Sequence, residues 1–292
     1  TRAYIAGSGT VTEGLAIGGR TPSKTGKTEH WDGSSWTEVS DMTTARASFT
    51  GAGVATSTLF AGGETATAYT NATEEFSGAG VADSIITEGQ VYYRSDTGDM
   101  KVTLTDYGTG AWSSGGTKNT IINDGTGSGS NTAGLAFGGV APPGITADTE
   151  TYNGTSWTEV ANLNAGRRSL TGTGTQTASL AIAGGEAGSF TAAIEEWDGS
   201  SWTEITDLNT ARGYNPGSSG STTATLVYGG RVNPNPSVTA NTESWNGSSW
   251  TEVADLNLAR YNAAGAGSQT ASIYAAGHNN TPPGATLSVN DL

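Results

Sequence analysis

The sequence predicts an all-β fold made of about six copies of one four-stranded unit, and three recurring markers predict it. The first marker is a pair of aromatic residues around a polar turn. The second is a glycine pair after a short apolar run, and the third is an arginine five residues before a Gly-x-Gly. A chain that repeats a unit of about 45 residues is built by stacking that unit, so the unit decides the fold.

The aromatic marker predicts the last two strands of each unit. In its clearest copy it reads Trp-Asp-Gly-Ser-Ser-Trp-Thr-Glu. Asp-Gly or Asn-Gly between two strands suits a tight hairpin, because both residues tolerate a positive φ. The copies lie at residues 31–39, 152–160, 197–205 and 245–253, and a decayed copy ends near Trp112.

The other two markers predict the first two strands. The arginine precedes strand one, and the glycine pair ends strand two. In the third unit Thr120 stands in the arginine's place, before Gly125 and Gly127. Long helices are excluded, because no window holds a 3.6-residue period and the 44 glycines oppose helix. Four-stranded units of this length, stacked radially, predict a single-domain β-propeller.

The predicted blades cover residues 1–41, 42–116, 117–162, 163–208, 209–256 and 257–292. The second blade is long because an inserted hairpin at 79–110 separates its third and fourth strands. We predict that the hairpin docks the protein to a larger assembly through Tyr92, Tyr93, Met100 and Val102.

The last blade is expected to be incomplete, because no Ser-Trp-Thr-Glu-Val follows Val289. We therefore expect a fragment or a processed product.

Composition narrows the function classes. The net charge is −14, from 13 basic and 27 acidic residues, which disfavours nucleic acid as a partner. No apolar run is long enough to insert into a membrane. The chain has no cysteine and two histidines, so no thiolate metal site can form, and we predict no metal and no cofactor.

Arginine before strand one and glutamate in strand three recur together. We predict structural Arg–carboxylate pairs, whose bidentate geometry fixes neighbouring sheets. The alternative is a ring of cations around the channel that binds anions. Pairing within or between units stays open, because the third unit lacks the arginine and the sixth lacks the glutamate. The residues are Arg2, Arg46, Arg167, Arg212 and Arg260 with Glu29, Glu74, Glu150, Glu195 and Glu243.

Two other features are candidates for binding. The paired tryptophans are predicted to pack between blades, with stacking on sugar faces as the alternative. The loops after each glycine pair vary most between units and share one face of the propeller. Binding residues usually lie on loops of a rigid scaffold. The candidate ligand-binding residues are Arg20, Lys24, Tyr69, Phe190 and Arg231.

The chain resembles the kelch family over essentially its whole length. The match is the apolar run into Gly-Gly, an aromatic residue about 13 residues later and a Trp five residues after that. The resemblance implies a propeller, but such propellers include enzymes, glycan binders and docking platforms. We expect no enzyme and no catalytic residue here. Arg and Glu follow the period of the repeat, whereas one active site would break the repeat. Copper oxidases of this fold need a cysteine-modified tyrosine.

The wording of the repeat also resembles repeat proteins of marine tailed bacteriophages. The resemblance rests on Thr-Glu-x-Tyr-Asn-Gly-Thr-Ser-Trp-Thr-Glu-Val and on Gly-Gln-Val-Tyr-Tyr in the insertion. It implies a virion tail, fibre or decoration protein in many copies, serving as an assembly platform or a host-surface recognition module. Its expected partners are other virion proteins and a host cell-surface glycan. The alternative is a bacterial extracellular kelch module that binds a glycan or a partner protein, and a hydrolase or oxidase is a more distant third.

Overall fold

The computed structural model describes residues 2–78, 91–94, 99–102, 110–186, 189–234, 237–279 and 290–291. These residues form short strands joined by turns, and no helix occurs among them. Within this part of the chain there is accordingly no helix that could cross a membrane. The prediction of an all-β fold is confirmed.

The described strands are short and follow one another closely. The first twelve are β1 (Ala6–Gly9), β2 (Gly14–Ile17), β3 (Arg20–Thr21), β4 (Ser23–Lys24), β5 (Thr28–Trp31), β6 (Trp36–Glu38), β7 (Thr50–Val54), β8 (Ser57–Ala61), β9 (Thr73–Ser77), β10 (Val91–Arg94), β11 (Asp99–Val102) and β12 (Ala111–Ser114). The next twelve are β13 (Thr126–Gly129), β14 (Gly134–Phe137), β15 (Val140–Ala141), β16 (Gly144–Ile145), β17 (Thr149–Tyr152), β18 (Trp157–Glu159), β19 (Thr171–Gly174), β20 (Ser179–Ile182), β21 (Gly185–Glu186), β22 (Ser189–Phe190), β23 (Ile194–Trp197) and β24 (Trp202–Ile205). The last nine are β25 (Arg212–Gly213), β26 (Gly217–Ser221), β27 (Ala224–Tyr228), β28 (Arg231–Val232), β29 (Thr242–Trp245), β30 (Trp250–Val253), β31 (Ala264–Gly267), β32 (Ser272–Ala275) and β33 (Asn290–Asp291).

Five antiparallel four-stranded sheets form the blades of a β-propeller. From the innermost strand outward they are β1-β2-β5-β6, β7-β8-β9-β12, β13-β14-β17-β18, β19-β20-β23-β24 and β26-β27-β29-β30. The innermost strands of successive blades contact each other around a central channel. A smaller sheet, β31-β32-β33, lies between the fifth and first blades, where β31 contacts both β26 and β1. The predicted propeller arrangement is confirmed.

The predicted count of about six four-stranded blades is wrong, because the described residues form five. The reason lies in the sequence of the sixth unit. Its described residues, which end at Asp291, contain no copy of the Trp-Thr-Glu segment that forms the outermost strands β24 and β30. Its described strands therefore make a three-stranded sheet.

Strand register corrects the sequence alignment of the third unit. Gly127 and Gly129 in β13 take the pairing positions that the Gly-x-Gly takes in the other units. The assignment that began at Gly125 was wrong by two residues. Ile122, rather than Thr120, therefore occupies the chain position of the arginine.

Close packing of the innermost strands explains the Gly-x-Gly marker. A Cβ atom on Gly7 would lie 2.8 Å from the Cβ atom of Ala264 in the neighbouring sheet. A Cβ atom on Gly172 would lie 2.6 Å from the ring of Phe137. The second glycine turns the chain toward strand two, with φ of 109° at Gly9. The close approach favours glycine at the first position, and the positive φ favours glycine at the second.

Tryptophans from the outer hairpins pack between blades. The ring of Trp202 lies 4.9 Å from that of Phe137 in the preceding blade, measured between centroids. Its indole N–H donates to Thr149 Oγ1 at 3.1 Å, as that of Trp157 donates to Thr73 Oγ1. Five separate hydrophobic clusters, each with residues of two neighbouring sheets, replace a single core.

The polar turn of the aromatic marker is a four-residue loop that closes the predicted hairpin. Trp197 pairs directly with Trp202, which leaves four residues between them. Asp198 Oδ1 accepts the N–H groups of Ser200 and Ser201, both at 2.8 Å. The aspartate therefore closes the loop as a side-chain acceptor, which is the Asx role of this residue type.

Replacing Asp198 with asparagine should leave stability at neutral pH nearly unchanged and remove part of the loss in acid. Hydrogen bonds, first from the Ser200 hydroxyl and then from the Ser201 N–H, lower the pKa of Asp198 to about 2. A carboxyl whose pKa is depressed by folding stabilises the protein above its unfolded pKa, and this is lost as the pH falls from about 4 to about 2. Asparagine accepts the same bonds at Asn153 and Asn246.

The measurement is the chemical denaturation midpoint of wild type and Asp198→Asn across this acidic range and at neutral pH. The variant should lose less stability below pH 4 than the wild type. An identical acid slope for the two proteins would contradict the assignment of a stabilising carboxylate to this turn.

Candidate functional site

Arginine and glutamate pair within single units, between the segment before strand one and strand three. Arg167 Nη2 lies 2.8 Å from Glu195 Oε1, and both side chains are buried. Glu195 Oε2 also accepts the backbone N–H of Asn164 at 2.7 Å, so the carboxylate holds the connection between two blades. The other pairs are Arg2 with Glu29, Arg46 with Glu74 and Arg212 with Glu243.

Lys118 supplies the cation in the third unit. Its ammonium lies 3.0 Å from Glu150 Oε1 and 4.7 Å from the ring centroid of Trp157. Burial lowers the pKa of Lys118, and the charge of Glu150 opposes that shift. Sequence reasoning missed this residue because it looked for an arginine at one chain position. In the sixth unit Arg260 is buried and its guanidinium reaches the carbonyl oxygens of Tyr274 and Ala276 at 3.5 Å.

The central channel is lined by glycines and small hydroxyl residues of the innermost strands. Just inside one end it widens to a cavity of about 120 Å³, which Tyr4, Ser48 and Asn215 border. None of the five repeated arginines lines this cavity or the opposite end of the channel. The alternative of a cation ring around the channel is therefore wrong. Within the described ranges, no group of three or more acidic or histidine residues could hold a metal ion.

A ring of backbone hydrogen bonds closes this end of the channel, and we call its residues the collar. Each collar residue has a positive φ of 50° to 57°. Each donates its N–H to the preceding unit at 3.0 to 3.3 Å, and the ring is completed from Tyr4 to Asn262. The collar therefore fixes the mouth of the channel, and the backbone N–H of each of its six members is bonded. Its members are Tyr4, Ser48, Asp124, Ser169, Asn215 and Asn262.

Side chains next to the collar differ from unit to unit. In the first three units the residue before the collar position pairs with the residue after the glycine pair, as Ala3 does with Arg20, and in the sixth unit Tyr261 pairs with His278. One half of the mouth concentrates aromatic and cationic groups, and we call this cluster the cationic arc. Its members are Arg20, Tyr4, His278, Tyr261, Arg231 and Tyr214.

The arc is continuous. The guanidinium of Arg231 lies 4.1 Å from the ring centroid of Tyr261 and 4.8 Å from that of Tyr214, and it donates to the Tyr261 hydroxyl at 2.6 Å. The guanidinium of Arg20 lies 4.8 Å from the ring centroid of Tyr4. His278 lies between the two arginines, with its ring 5.5 Å from both Tyr4 and Tyr261. Both guanidinium groups therefore lie within cation–π distance of a tyrosine ring.

The side chains in the other half of the mouth are smaller and include carboxylates. Asp124 accepts the Ser169 hydroxyl at 2.6 Å. Burial raises the pKa of Asp124, and the bond from Ser169 and the charge of Arg168 oppose that shift. Glu64 pairs with Lys24 at 2.7 Å. The mouth is therefore chemically asymmetric although the framework repeats.

The five predicted ligand-binding residues do not form one cluster in the structure. Arg20 and Arg231 belong to the cationic arc, with Arg20 exposed and Arg231 half-buried. Phe190 is buried and packs edge-on against Tyr214, with the ring centroids 5.6 Å apart, so it contacts the arc through Tyr214. Lys24 is engaged by Glu64 and by the carbonyl of Thr65, and Tyr69 is exposed on the loop of the second unit. Neither of these last two reaches the arc.

The insertion is described only in part. Strands β10 and β11 pair antiparallel, with Tyr93 opposite Met100 and Val91 opposite Val102. Residues 79–90, 95–98 and 103–109 lie outside the described residues, as do the side chains of Tyr92, Tyr93, Met100 and Val102. The insertion leaves the second blade between β9 and β12, at the edge of the ring opposite the collar.

Sequence reasoning missed the tyrosines of the arc. Tyr4, Tyr214 and Tyr261 follow the repeated arginine, a segment that was assigned to the framework. The sequence feature that could have indicated these tyrosines is variation between units. The two residues after the arginine read Ala-Tyr, Ala-Ser, Arg-Ser and Tyr-Asn in different units.

Together the fold and the mouth define a β-propeller with a cationic, aromatic cluster on one face. In comparisons with known proteins, no family model and no curated protein matches the chain. The geometry of the mouth is therefore the basis for a functional proposal.

Proposed function

We propose that the chain is a non-enzymatic structural protein of a tailed-phage virion. Its kelch-like propeller serves as an assembly platform or as a host-surface recognition module. The observation that supports recognition is the cationic arc. Framework residues recur in most units, whereas the arc is confined to one half of the mouth. A local departure from a rigid repeat is where a single binding site is expected.

A ring of six kelch-like positions belongs to the same proposal. Contacts of β31 with both β26 and β1 support it. The N–H of Gly277 points to the carbonyl of Arg2 at 3.5 Å, the same link that joins Gly139 to Arg167 between complete blades. We infer six ring positions, of which four-stranded sheets fill five.

Loss of the arc should strongly weaken attachment to the host. Substituting both Arg20→Ala and Arg231→Ala removes the two cations of the arc. Attachment of the labelled protein to host cells should fall by about tenfold or more, because binding energy concentrates in a few aromatic and arginine residues. The matched control is Arg168→Ala, which removes a cation from the other half of the mouth. Undiminished attachment of the double variant would remove the recognition role and leave the platform role.

Removal of the insertion should prevent incorporation into particles while leaving the propeller folded. Phe76 pairs with Trp112 as Trp197 pairs with Trp202, so a four-residue Asp-Gly-Ser-Ser loop can replace residues 77–111. Particles assembled with this variant are then assayed by mass spectrometry. Incorporation at the wild-type level would contradict docking through the insertion.

The alternative function is a bacterial extracellular kelch module that binds a glycan or a partner protein. The cationic arc supports this function equally well. The two proposals differ in the role of the insertion and in location. Presence of the protein in purified phage particles supports the virion, and presence only on a bacterial surface supports the alternative.

A further inference from the structure

We infer that the interface between the fifth blade and the sixth unit binds a tryptophan-bearing β-strand of a partner polypeptide. This inference goes beyond the proposed function and does not rest on it, because it follows from the repeat itself. It starts from a cavity of about 290 Å³ between the two units. The side chains that carry the argument are Leu226, Tyr228, Thr242 and Leu256 of the fifth unit, which all line this cavity.

The equivalent place between complete blades is filled by a tryptophan. Trp202 of the fourth blade packs on Phe137 and Leu163 of the third unit. Its indole N–H donates to Thr149 Oγ1 at 3.1 Å. An aromatic ring, a leucine and a threonine hydroxyl of one unit therefore hold the outer tryptophan of the next.

The cavity presents the same three contacts. Tyr228 pairs with Thr242 across the sheet, as Phe137 pairs with Thr149 in the third unit. Leu256 lies six residues after the outer tryptophan of its own blade, as the leucine does in the third unit. The described part of the sixth unit provides no tryptophan for this place. The cavity therefore has the residues that bind an indole ring elsewhere in the propeller.

Apolar surface around the cavity is less covered than at the complete interfaces. Leu226 is half-buried, whereas the leucine at its position is buried in each of the other four blades, at Leu15, Leu59, Leu135 and Leu180. Leu256 is half-buried as well, whereas its counterparts Leu163 and Leu208 are buried. Covering this apolar surface with an indole ring is favourable, because it removes the surface from water.

The sheet of the sixth unit can accept one more strand. Its outermost described strand is β33. Ala275 pairs with Asn290 as Phe137 pairs with Thr149, so β33 has the register of β17, the third strand of a complete blade. In that blade β17 pairs with β18, which carries the outer tryptophan. A partner strand added to β33 in the same register brings its tryptophan to the cavity, and addition of a strand to a sheet edge is a common mode of recognition.

The burial of the existing tryptophans favours a different protein over a second copy of this chain. Trp157, Trp202 and Trp250 are all buried in their own blade interfaces. A second copy that donated one of them would open an equivalent cavity in itself, so the exchange would gain no burial. We therefore assign the cavity to a partner that carries a tryptophan on an extended segment.

The test is calorimetric titration of the full chain with a synthetic peptide, Trp-Asn-Gly-Ser-Ser-Trp-Thr-Glu-Val-Ala, which has the sequence of residues 245–254. The peptide should bind, and the same peptide with Trp250→Ala should bind at least about tenfold more weakly, because buried tryptophans dominate binding energy. In the protein, Thr242→Val removes the acceptor for the indole N–H and should weaken binding about twofold to tenfold. The matched control is Thr149→Val, the same change where Trp202 already fills the site, and it should leave peptide binding unchanged.

Three results would overturn the inference: no binding of the peptide, equal binding of the two peptides, and equal effects of Thr242→Val and Thr149→Val. The substitution in the peptide leaves the protein unchanged, so its outcome does not depend on the folding of a variant. A dimer in solution that the peptide dissociates would assign the cavity to a second copy of this chain and would overturn the assignment to a partner.

Discussion

Replacing Glu195 with alanine should lower the free energy of unfolding by about 3 to 5 kcal/mol. The carboxylate lies within hydrogen-bonding distance of Arg167 and accepts the backbone and side-chain N–H groups of Asn164. Removal leaves a buried guanidinium without its counter-charge, which costs more than the intact pair contributes. It also releases the connection between the third and fourth blades.

The matched control is Glu38→Ala. Glu38 pairs with Lys27 at 2.5 Å, but both side chains are about half exposed, at 56% and 51%. Solvent screens such a pair, so its loss should have little effect on stability. Both variants are measured by chemical denaturation followed by far-ultraviolet circular dichroism. Glu195→Gln keeps the size of the side chain and one acceptor oxygen but removes the charge. Its loss in the free energy of unfolding should still be most of that of Glu195→Ala. Equal, small effects of Glu195→Ala and Glu38→Ala would show that the buried pairs do not hold the ring.

Replacing Trp202 with alanine should cost about 3 to 5 kcal/mol, the range for a large aromatic residue removed from a packed core. Trp202 is 5% exposed and packs against Phe137, Leu163 and Leu170. The substitution leaves a cavity between two blades and removes the donor to Thr149 Oγ1. The framework is held together by such interfaces, so one cavity weakens the whole ring.

The control for this prediction is Trp36→Ala, which changes the same residue at the same position of the repeat. Trp36 lies in the outermost strand of the first blade, is half-buried and, among the described residues, has its ring contact with Trp31. Its loss should cost about 1 to 2 kcal/mol, the size of an ordinary substitution at a partly exposed position. A cost for Trp36→Ala equal to that of Trp202→Ala would mean that the hairpin, and not the blade interface, supplies the stability.

The sequence could predict the framework because the framework repeats. Residues equivalent to Arg167 and Glu195 recur in most units, and the aromatic marker recurs with them. Any feature needed in every blade leaves several copies in the chain, and the copies confirm one another. Prediction failed where a unit departs from its copies. In the third unit the cation moved to Lys118, and an alignment by residue type could not follow it because a flexible side chain reaches its partner from another position.

The candidate site could be predicted only in part, because its residues do not repeat from unit to unit. Arg20 and Arg231 were found because they lie in variable loops. Phe190 was predicted as a ligand-binding residue, but it is buried against Gly213 and Tyr214, since glycine leaves room for its ring. Tyr261 and His278 are far from Arg20 in the chain and become its neighbours only when the sixth unit lies beside the first.

The sequence by itself determined the all-β class, the repeating unit, the absence of thiolate chemistry and the net charge of −14. These follow from composition and period, which are properties of the chain before it folds. Only the tertiary structure decided the number of four-stranded blades, the partners of Lys118 and the half of the mouth that carries the arc. Closure of a ring brings distant units together, and contacts across that closure leave no periodic signal in the chain.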